Sequence, residues 1–256
     1  METQLDYGNW IRKKNLLILG LCTLGVGGLI FIPLGSLYQL VLIILFIIVL
    51  VSFLFPLYAY IMFSQQGGKF QEKVYNLIIQ RLGPKVTGKI LDIGSGNGVL
   101  AVKLAQQHSD VEVVGIDYWG KDWEYSQKVC EQNARITHVE NRVHFQRGDA
   151  ATLDFADNTF DGAISNLTFH EVADTSDKRE VIQEALRVVK LGGKFAFQDL
   201  FLIEREFGRM DDLLETIRGW GIRKVEFVET RNASFIPPAL KLPFMVGTMG
   251  ILAGEK

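Results

Sequence analysis

The hydrophobic pattern divides the chain into two parts near residue 68. Residues 15–68 form 54 consecutive positions without an Asp, Glu, Lys or Arg. Within them, two apolar runs at residues 16–32 and 40–61 are separated by a link that contains Pro and Gly. A bilayer core requires about 17–25 helical residues, so each run is long enough to cross it. The pattern predicts a two-helix transmembrane hairpin within an anchor of residues 1–68.

The small residues and the charged flank of this part agree with that interpretation. Four glycines lie in the first run, at Gly20, Gly25, Gly27 and Gly28. They would weaken a helix in water, but in lipid small residues let helices approach closely. Three positive charges at residues 12–14 precede the run, so the positive-inside rule predicts a cytosolic N-terminus. Two crossings return the chain to the same side, and residues 69–256 are therefore expected to face the cytosol.

After residue 68, short β-rich runs alternate with amphipathic helical patterns. Strands are predicted at residues 89–93, 111–116, 143–146, 160–165, 194–197, 224–228 and within 245–253. Helices are predicted at residues 69–82, 99–107, 123–135, 177–189 and 210–218. Such alternation is typical of a mainly parallel sheet with helices on both faces. We predict an α/β domain of seven strands over residues 69–256.

Charge and cysteine content narrow the function classes. Residues 69–256 hold 24 Lys or Arg and 27 Asp or Glu, so the basic surface that nucleic acid requires is not expected. Cys22 lies in the apolar part and Cys130 in the polar part, which argues against a disulfide. No His or Cys cluster has the spacing of metal ligands, so we predict no metal.

A glycine loop follows the first predicted strand. The sequence Asp92-Ile93-Gly94-Ser95-Gly96-Asn97-Gly98 joins that strand to the helix at 99–107. Glycines lack the Cβ atoms that would block a ligand, and a helix N-terminus favours anionic groups. We therefore expect a nucleotide-like ligand at the carboxyl ends of the strands. Val99 departs from the dinucleotide fingerprint, and the Gly-Lys-Ser/Thr of a P-loop is absent.

The pattern D-x-G-x-G-x-G resembles the class I S-adenosylmethionine-dependent methyltransferases. Four further segments follow in that family's order, at residues 115–118, 147–150, 160–167 and 186–195. Leu191 stands where the family commonly has Pro, although the following Gly pair is kept. The resemblance covers residues 89–199 and extends more weakly to about residue 253. It implies a Rossmann-like sheet and S-adenosylmethionine as the cofactor.

The resemblance also implies roles for single residues. Asp117, at the end of the second strand, corresponds to the family's acidic ligand of the ribose hydroxyls, and Asp149 corresponds to the Asp facing the adenine amino group. Tyr118 either lies against the adenine or only packs within the protein. The expected cofactor-binding residues are Asp92, Gly94, Ser95, Gly96, Gly98, Asp117, Tyr118, Asp149, Ala150 and Asn166.

His170 is the predicted catalytic residue. It follows Asn166 by four positions at the mouth of the fourth strand, where a neutral imidazole can accept a proton near neutral pH. The alternative is a structural polar residue that lines the cleft. Residues 165–168 are Ser-Asn-Leu-Thr, not the Asn/Asp-Pro-Pro-aromatic motif of nucleic-acid amino-methyltransferases, which counts against a nucleic acid substrate.

Together these features predict a membrane-anchored methyltransferase that acts on a small, lipophilic acceptor such as a quinone, an isoprenoid or a lipid. A soluble small molecule or a protein is a rival acceptor. A second alternative is an inactive cofactor-binding domain whose hairpin recruits a membrane partner. A third, a dehydrogenase, is disfavoured by Val99. The oligomeric state is left open.

The apolar segment at residues 235–244 holds three of the six prolines and is not expected to be regular throughout. We expect it to contact either the membrane surface or the acceptor pocket; the alternative is a loop packed on the domain.

Overall fold

The computed structural model describes residues 5–33, 35–120 and 124–256, which form two compact units. One unit, here the helical unit, is Gly8–Gln71. The other, here the α/β unit, comprises Glu72–Lys256 and the residues up to Tyr7, of which 5–7 are described. The division therefore differs from the predicted 1–68 and 69–256 at the N-terminus, because residues 5–7 pack with the second unit.

The helical unit is a pair of packed antiparallel helices. Helix α1 is Lys13–Leu29 and helix α2 is Ser36–Phe63. A Cβ atom on Gly20 would lie 3.3 Å from the Phe53 ring, and one on Gly27 would lie 3.0 Å from the Phe46 ring. Both pairs repeat after seven residues, so these two glycines let α1 approach the phenyl rings of α2.

The two helices differ in length and exposure. Helix α2 has 28 residues and a mean hydropathy of 3.3 over its most apolar window, none of which is buried. In the described part of the chain, it alone has the length and hydropathy required of a membrane span. Helix α1 has 17 residues. Leu34, in the predicted link, lies outside the described residues.

The α/β unit is built on a seven-stranded sheet of order β3-β2-β1-β4-β5-β7-β6. The strands are β1 Gly88–Ile93, β2 Val111–Asp117, β3 Val143–Arg147, β4 Phe160–Asn166, β5 Val189–Asp199, β6 Lys224–Glu229 and β7 Gly250–Glu255. Strands β1 to β5 pair in parallel, and β7 runs antiparallel to both β5 and β6. The prediction of a seven-stranded, mainly parallel sheet is confirmed.

Six helices accompany the sheet, namely α3 Phe70–Arg81, α4 Val99–Gln107, α5 Gln127–Ile136, α6 Lys178–Arg187, α7 Glu204–Phe207 and α8 Met210–Gly219. Helix α5 begins later than predicted because the Ser126 side chain caps it, accepting from the N–H of Val129. Trp123, where the predicted helix began, lies outside the described residues. Helix α7 was not predicted.

The start of β5 also differs from the prediction. Helix α6 ends at Arg187, and Val189 already pairs with Phe160 of β4. The Leu191-Gly192-Gly193 turn is thus a bend inside β5, not the end of the helix. This segment lies at the amino end of the sheet, and the site described below lies at the carboxyl end.

The sheet core is buried on both faces. Ile90, Leu91 and Ile93 of β1 are almost fully buried although their side chains alternate across the sheet. Phe195 and Phe197 of β5 join the core that α6 and α8 cover. This packing fixes the strand ends, and hence the loops that follow them.

Residues 5–7 are tied to the α/β unit by specific contacts. The Asp6 N–H donates to Asn133 Oδ1 at 2.9 Å, and Asn133 Nδ2 donates back to the Asp6 carbonyl at 2.9 Å. The Tyr7 ring is buried 6.2 Å from the Tyr75 ring, centroid to centroid. Asn133 also donates to the carbonyl of Asn97 in the glycine loop at 2.9 Å.

Candidate active site

The glycine loop joins β1 to α4, as predicted, and three of its residues have positive φ. These angles are +74° at Gly94, +56° at Gly96 and +74° at Gly98. A Cβ on Gly94 would lie 1.9 Å from Thr168 Oγ1, and one on Gly98 would lie 2.5 Å from Phe145 Cζ. Two of the glycines therefore make room for neighbouring protein groups, where we had expected all three to make room for a ligand.

The carbonyl of Gly96 is held by two donors. Trp119 Nε1 donates to it at 2.9 Å, and the Cys130 thiol donates at 3.1 Å. Burial raises the pKa of the Cys130 thiol well above its usual range, so this sulfur stays protonated. The loop is thus fixed by side chains from outside its own sequence.

Asp92 is a buried carboxylate beside this loop. It is 1% exposed, and neither of its side-chain oxygens has a hydrogen-bond partner among the described residues. Burial, opposed by the nearby Ser95 hydroxyl and Ala101 N–H and assisted by the charge of Asp117, raises its pKa to about 7. An orphaned carboxylate of this kind fits a ligand that brings a cationic amino group to the loop.

Asp117 occupies the end of β2 and faces the glycine loop. Its Oδ2 accepts from the Gly96 N–H at 2.8 Å, and its Oδ1 accepts from the Trp119 N–H at 2.7 Å. Burial raises its pKa. A carboxylate has about four lone-pair sites, so acceptor capacity remains for the two hydroxyls of a ribose.

Three other predicted cofactor residues lie on the loops beside Asp117. Gly148 donates from its backbone to the Asp117 carbonyl at 3.1 Å, which joins the 147–150 turn to β2. In that turn, Asp149 Oδ1 accepts from the Ala151 N–H at 2.8 Å, and Ala150 is half-buried. Ser95 is buried and donates to the Asp92 carbonyl at 3.2 Å.

Tyr118 lies at the rim of this group. Its side chain is 62% exposed, and the Arg147 guanidinium lies over its ring at 4.6 Å. The ring thus has a cationic neighbour within the protein, and its place against an adenine stays a prediction.

Asn166 is oriented by a buried chain of polar groups. Its Oδ1 accepts from Gln198 Nε2 at 2.8 Å, and Gln198 Oε1 accepts from the Thr230 hydroxyl at 3.0 Å. Both Gln198 and Thr230 are fully buried. This chain links the ends of β4, β5 and β6.

His170 lies in a short 3₁₀ turn, Phe169–Glu171, directly after β4. Its Nδ1 is 2.5 Å from Oδ1 of the fully buried Asp199, at the end of β5. The Asp199 carboxylate also accepts the N–H groups of Phe169 and Leu200, both at 2.7 Å. The His170 Nε2 lies 3.4 Å from Glu171 Oε1.

The charge state of His170 differs from our expectation. Burial lowers its pKa, but the charge and hydrogen bond of Asp199 and the nearby Glu171 outweigh burial and raise the pKa to about 10. This raised pKa favours the protonated imidazole, whereas we had expected a neutral one near neutral pH.

Sequence reasoning missed three residues of this site: Asp199, Gln198 and Trp119. Asp199 and Gln198 end β5, which is the neighbour of β4 in the sheet. A strand order placing β5 beside β4 would have brought both residues to His170 and Asn166, but the hydrophobic pattern does not contain that order. For Trp119, no sequence signal indicated that its indole would close on Gly96.

Comparison with known proteins gives three related results. A family model described as "Methyltransferase domain" matches residues 84–226, more than half of the chain. The O-methyltransferase rstn1 of Aspergillus nomiae is 29% identical over 180 residues, which are 64% of this chain and 76% of that protein. The 27-O-demethylrifamycin SV methyltransferase of Amycolatopsis mediterranei is 33% identical over 120 residues, covering 47% of this chain but only 41% of that protein.

Among solved structures, the geranyl diphosphate C-methyltransferase of Streptomyces coelicolor A3(2) has the same fold. The TM-score is 0.55 and the sequence identity is 12%, with 73% of this chain and 80% of that chain covered. The family model covers strands β1 to β5 and the first residues of β6, and the site geometry above lies within its range apart from the Thr230 contact.

Proposed function

This chain belongs to the methyltransferase domain family and is an S-adenosylmethionine-dependent methyltransferase, and we propose that it methylates a hydroxyl oxygen of a small, lipophilic acceptor at a membrane. When bound, S-adenosylmethionine supplies a methyl group that its sulfonium has already activated, so the acceptor needs only an available lone pair. One relative named above is an O-methyltransferase and the other is a 27-O-demethylrifamycin SV methyltransferase, and these names support oxygen as the acceptor atom.

The chain's own residues fit the cofactor. Asp92 would receive the amino group of the methionine portion, because a buried carboxylate without a partner gains most from a cationic donor. Asp117 would accept the ribose hydroxyls, and Asp149 would face the adenine. The backbone of the glycine loop, held by Trp119 and Cys130, would keep its shape during binding.

The pair of His170 and Asp199 is the observation that carries the proposal. Asp199 holds Nδ1 and Glu171 Oε1 lies 3.4 Å from Nε2, so Nε2 would take the acceptor's hydroxyl proton when the acceptor replaces this longer Glu171 contact. Because the pKa of His170 is about 10, only a minor neutral fraction exists at pH 7.

We also propose that the helical unit is a two-span membrane anchor. The length, hydropathy and exposure of α2 support one span. Parity supports a partner for α2: residues 5–7 and 72–256 belong to one compact unit, so the chain between them would cross a bilayer an even number of times. Helix α1, at about 25 Å by its helical rise, would be the second span.

The orientation of this anchor rests on charge. Arg12, Lys13 and Lys14 come directly before or at the start of α1, and the positive-inside rule places such residues in the cytosol. The α/β unit would then face the cytosol, with access to acceptors dissolved in the adjacent leaflet.

Methyl transfer to an extract of membrane lipids, measured with labelled S-adenosylmethionine, tests the proposal. We expect a labelled lipophilic product and a kcat/KM that rises with pH towards about 10, because the neutral fraction of His170 grows with pH. His170→Gln should lower kcat by about 100-fold or more with unchanged cofactor affinity.

Two variants make this test specific. Glu171→Gln should move the rise of kcat/KM to lower pH, because it removes a charge that raises the pKa of His170. His144→Gln, at an exposed position on β3, is the matched control and should leave turnover within about twofold of wild type. Wild-type turnover and an unchanged pH profile in His170→Gln would overturn the role of this base.

A further inference from the structure

The connection between β6 and β7 carries an exposed apolar projection. Residues 241–244, here the KLPF tip, are consecutively exposed, and Phe244 is 72% and Leu242 39% exposed. The flanking Leu240 and Val246 are fully buried. Consecutive exposed apolar residues in an otherwise well-packed unit indicate a contact surface.

The base of the tip is fixed by the backbone. The Leu242 carbonyl accepts the N–H groups of Met245 and Gly247, both at 2.9 Å. A Cβ on Gly247 would lie 2.5 Å from the Lys241 carbonyl, so only glycine allows the chain to close there. The Thr248 hydroxyl donates to the Pro243 carbonyl at 3.1 Å. These contacts fix the backbone of the KLPF tip and of the residues that follow it.

The tip belongs to the edge of the sheet that carries the active site. Strand β7 begins at Gly250, opposite Asp199 at the end of β5. The Leu202 N–H donates to the Thr248 carbonyl at 3.1 Å, and Thr230 donates to Gln198 at 3.0 Å. The connection between β6 and β7 thus begins and ends near Gln198 and Asp199, and Asp199 is the partner of His170.

Lys241 is the charged residue next to the exposed apolar side chains. The other basic residue of the connection, Arg231, forms an ion pair with Glu229 at 2.6 Å. An apolar aromatic tip with a cationic neighbour suits the interface of an anionic bilayer, where the aromatic ring lies at headgroup depth.

We propose that the KLPF tip inserts into the surface of an anionic bilayer and so turns the active-site edge of the sheet towards the membrane. This inference rests on the proposed membrane anchor, and it adds a second, separate membrane contact on the α/β unit. Of the expectations for residues 235–244, this proposal takes the bilayer contact, and the acceptor pocket and the packed loop are its alternatives.

Quenching by nitroxide-labelled phosphatidylcholine tests the proposal in the full chain. A Cys22→Ala background leaves only the buried Cys130, and Phe244→Cys is then labelled with an environment-sensitive dye. In vesicles of phosphatidylcholine with phosphatidylglycerol, we expect quenching about twofold or more stronger at 244 than at the control position. Leu191→Cys is that control, since Leu191 is 77% exposed and apolar but lies at the amino end of the sheet.

A third label separates this proposal from the anchor. Ile47→Cys lies in α2 and reports whether the helical unit is in the bilayer. Quenching at 47 but not at 244 would contradict membrane insertion of the KLPF tip but not the proposed membrane anchor. Absence of quenching at both positions would overturn both.

Charge and ligand dependence give two further outcomes. Lys241→Glu should weaken quenching at 244 in phosphatidylglycerol-containing vesicles and have little effect in phosphatidylcholine alone. The proposal would be overturned in favour of a pocket-lining loop if a dye at 244 is not quenched by nitroxide-labelled lipid but changes its fluorescence when S-adenosylhomocysteine is added.

Discussion

At the scale of single residues, the site contains two aspartates, Asp199 and Asp92, that are equally buried but differ in their hydrogen-bond partners. Asp199 is fully buried and accepts hydrogen bonds from two backbone N–H groups and one imidazole. Asp92 is equally buried but has no partner in the described chain. At one position the buried carboxyl is therefore held by three hydrogen bonds, and at the other burial raises the pKa of the carboxyl to about 7.

The raised pKa of Asp92 predicts pH-dependent cofactor binding. A proton and the cationic amino group compete for this carboxylate, so the affinity for S-adenosylmethionine should rise by up to about tenfold per pH unit below pH 7 and level off above it. Asp92→Asn should weaken binding at pH 8 and remove this contribution to the pH dependence. Calorimetric titration of both proteins between pH 5.5 and 8 measures the difference.

The same substitution should have the opposite effect on the ligand-free protein. Because the folded pKa of Asp92 is raised, its neutral form is favoured on folding, and stability falls as pH rises from its ordinary value of 3.8 through about 7. Asp92→Asn should therefore raise the melting temperature at pH 8 without ligand. Asp154→Asn, at an exposed position, is the control; equal effects from both variants would contradict this prediction.

Residues of the site could be predicted from the sequence where they are part of a motif. Asp92, Asp117 and the glycines stand in a recognisable pattern, and the structure brings them to one edge of the sheet. The protonated state of His170 was not predictable, because it results from Asp199, which is 29 positions away and contacts it only through sheet pairing.

At the scale of elements, the sequence predicts the interiors of helices and strands better than it predicts their ends. Helix α4 matches its prediction at both bounds, because Gly98 begins it and apolar spacing continues to the end. The start of β5 and the short α7 were missed, since each is determined by tertiary pairing instead of by periodicity. The strand order, which assembles the site, is likewise a tertiary property.

Gly98 provides a test of how an element's end is specified. Gly98→Ala would combine a φ of +74° with a contact of 2.5 Å to Phe145, and should lower the free energy of unfolding by about 2–4 kcal/mol. Gly219→Ala, in α8 with no atom within 4 Å of its Cβ, is the matched control and should change it by less than about 1 kcal/mol. Urea denaturation measures both; equal changes would show that neither φ nor contact matters at Gly98.

At the scale of the whole molecule, the contact of residues 5–7 with the α/β unit connects parts of the chain that are far apart in sequence. Residues 5–7 pack on the α/β unit, although they are separated from its remaining residues by the helical unit. Asn133 makes two hydrogen bonds with Asp6 and a third with Asn97 in the glycine loop. It therefore connects the start of the chain to the cofactor loop through one buried side chain.

Removal of this connection should affect both stability and binding. Asn133→Ala leaves the Asp6 and Asn97 groups without these bonds and should lower the free energy of unfolding by about 1–3 kcal/mol. Affinity for S-adenosylmethionine should fall as the loop loosens. Asn76→Ala, which removes one exposed hydrogen bond to Gln107, should alter neither by a measurable amount. Thermal melts and calorimetric titration check both outcomes.

The parity of the anchor predicts which segments a reagent can reach. In intact cells, a membrane-impermeant thiol reagent should label Phe31→Cys, in the turn after α1, from outside. Ser234→Cys, exposed on the α/β unit, should react only after permeabilisation. Labelling of both positions from the same side would contradict the two-span anchor.

The contact between Asp6 and Asn133 also has a consequence for the order of synthesis. The two residues are 127 positions apart, so a growing chain exposes Asp6 long before its partner exists. Both apolar helices leave the ribosome in that interval, and they would have to be inserted before the N-terminal segment can dock. A helix inserted in the wrong sense would strand residues 5–7 across the bilayer, and the α/β unit would then fold with Asn133 unsatisfied. For the proposed two-span anchor, docking of residues 5–7 would therefore require that both helices had been inserted in the right sense.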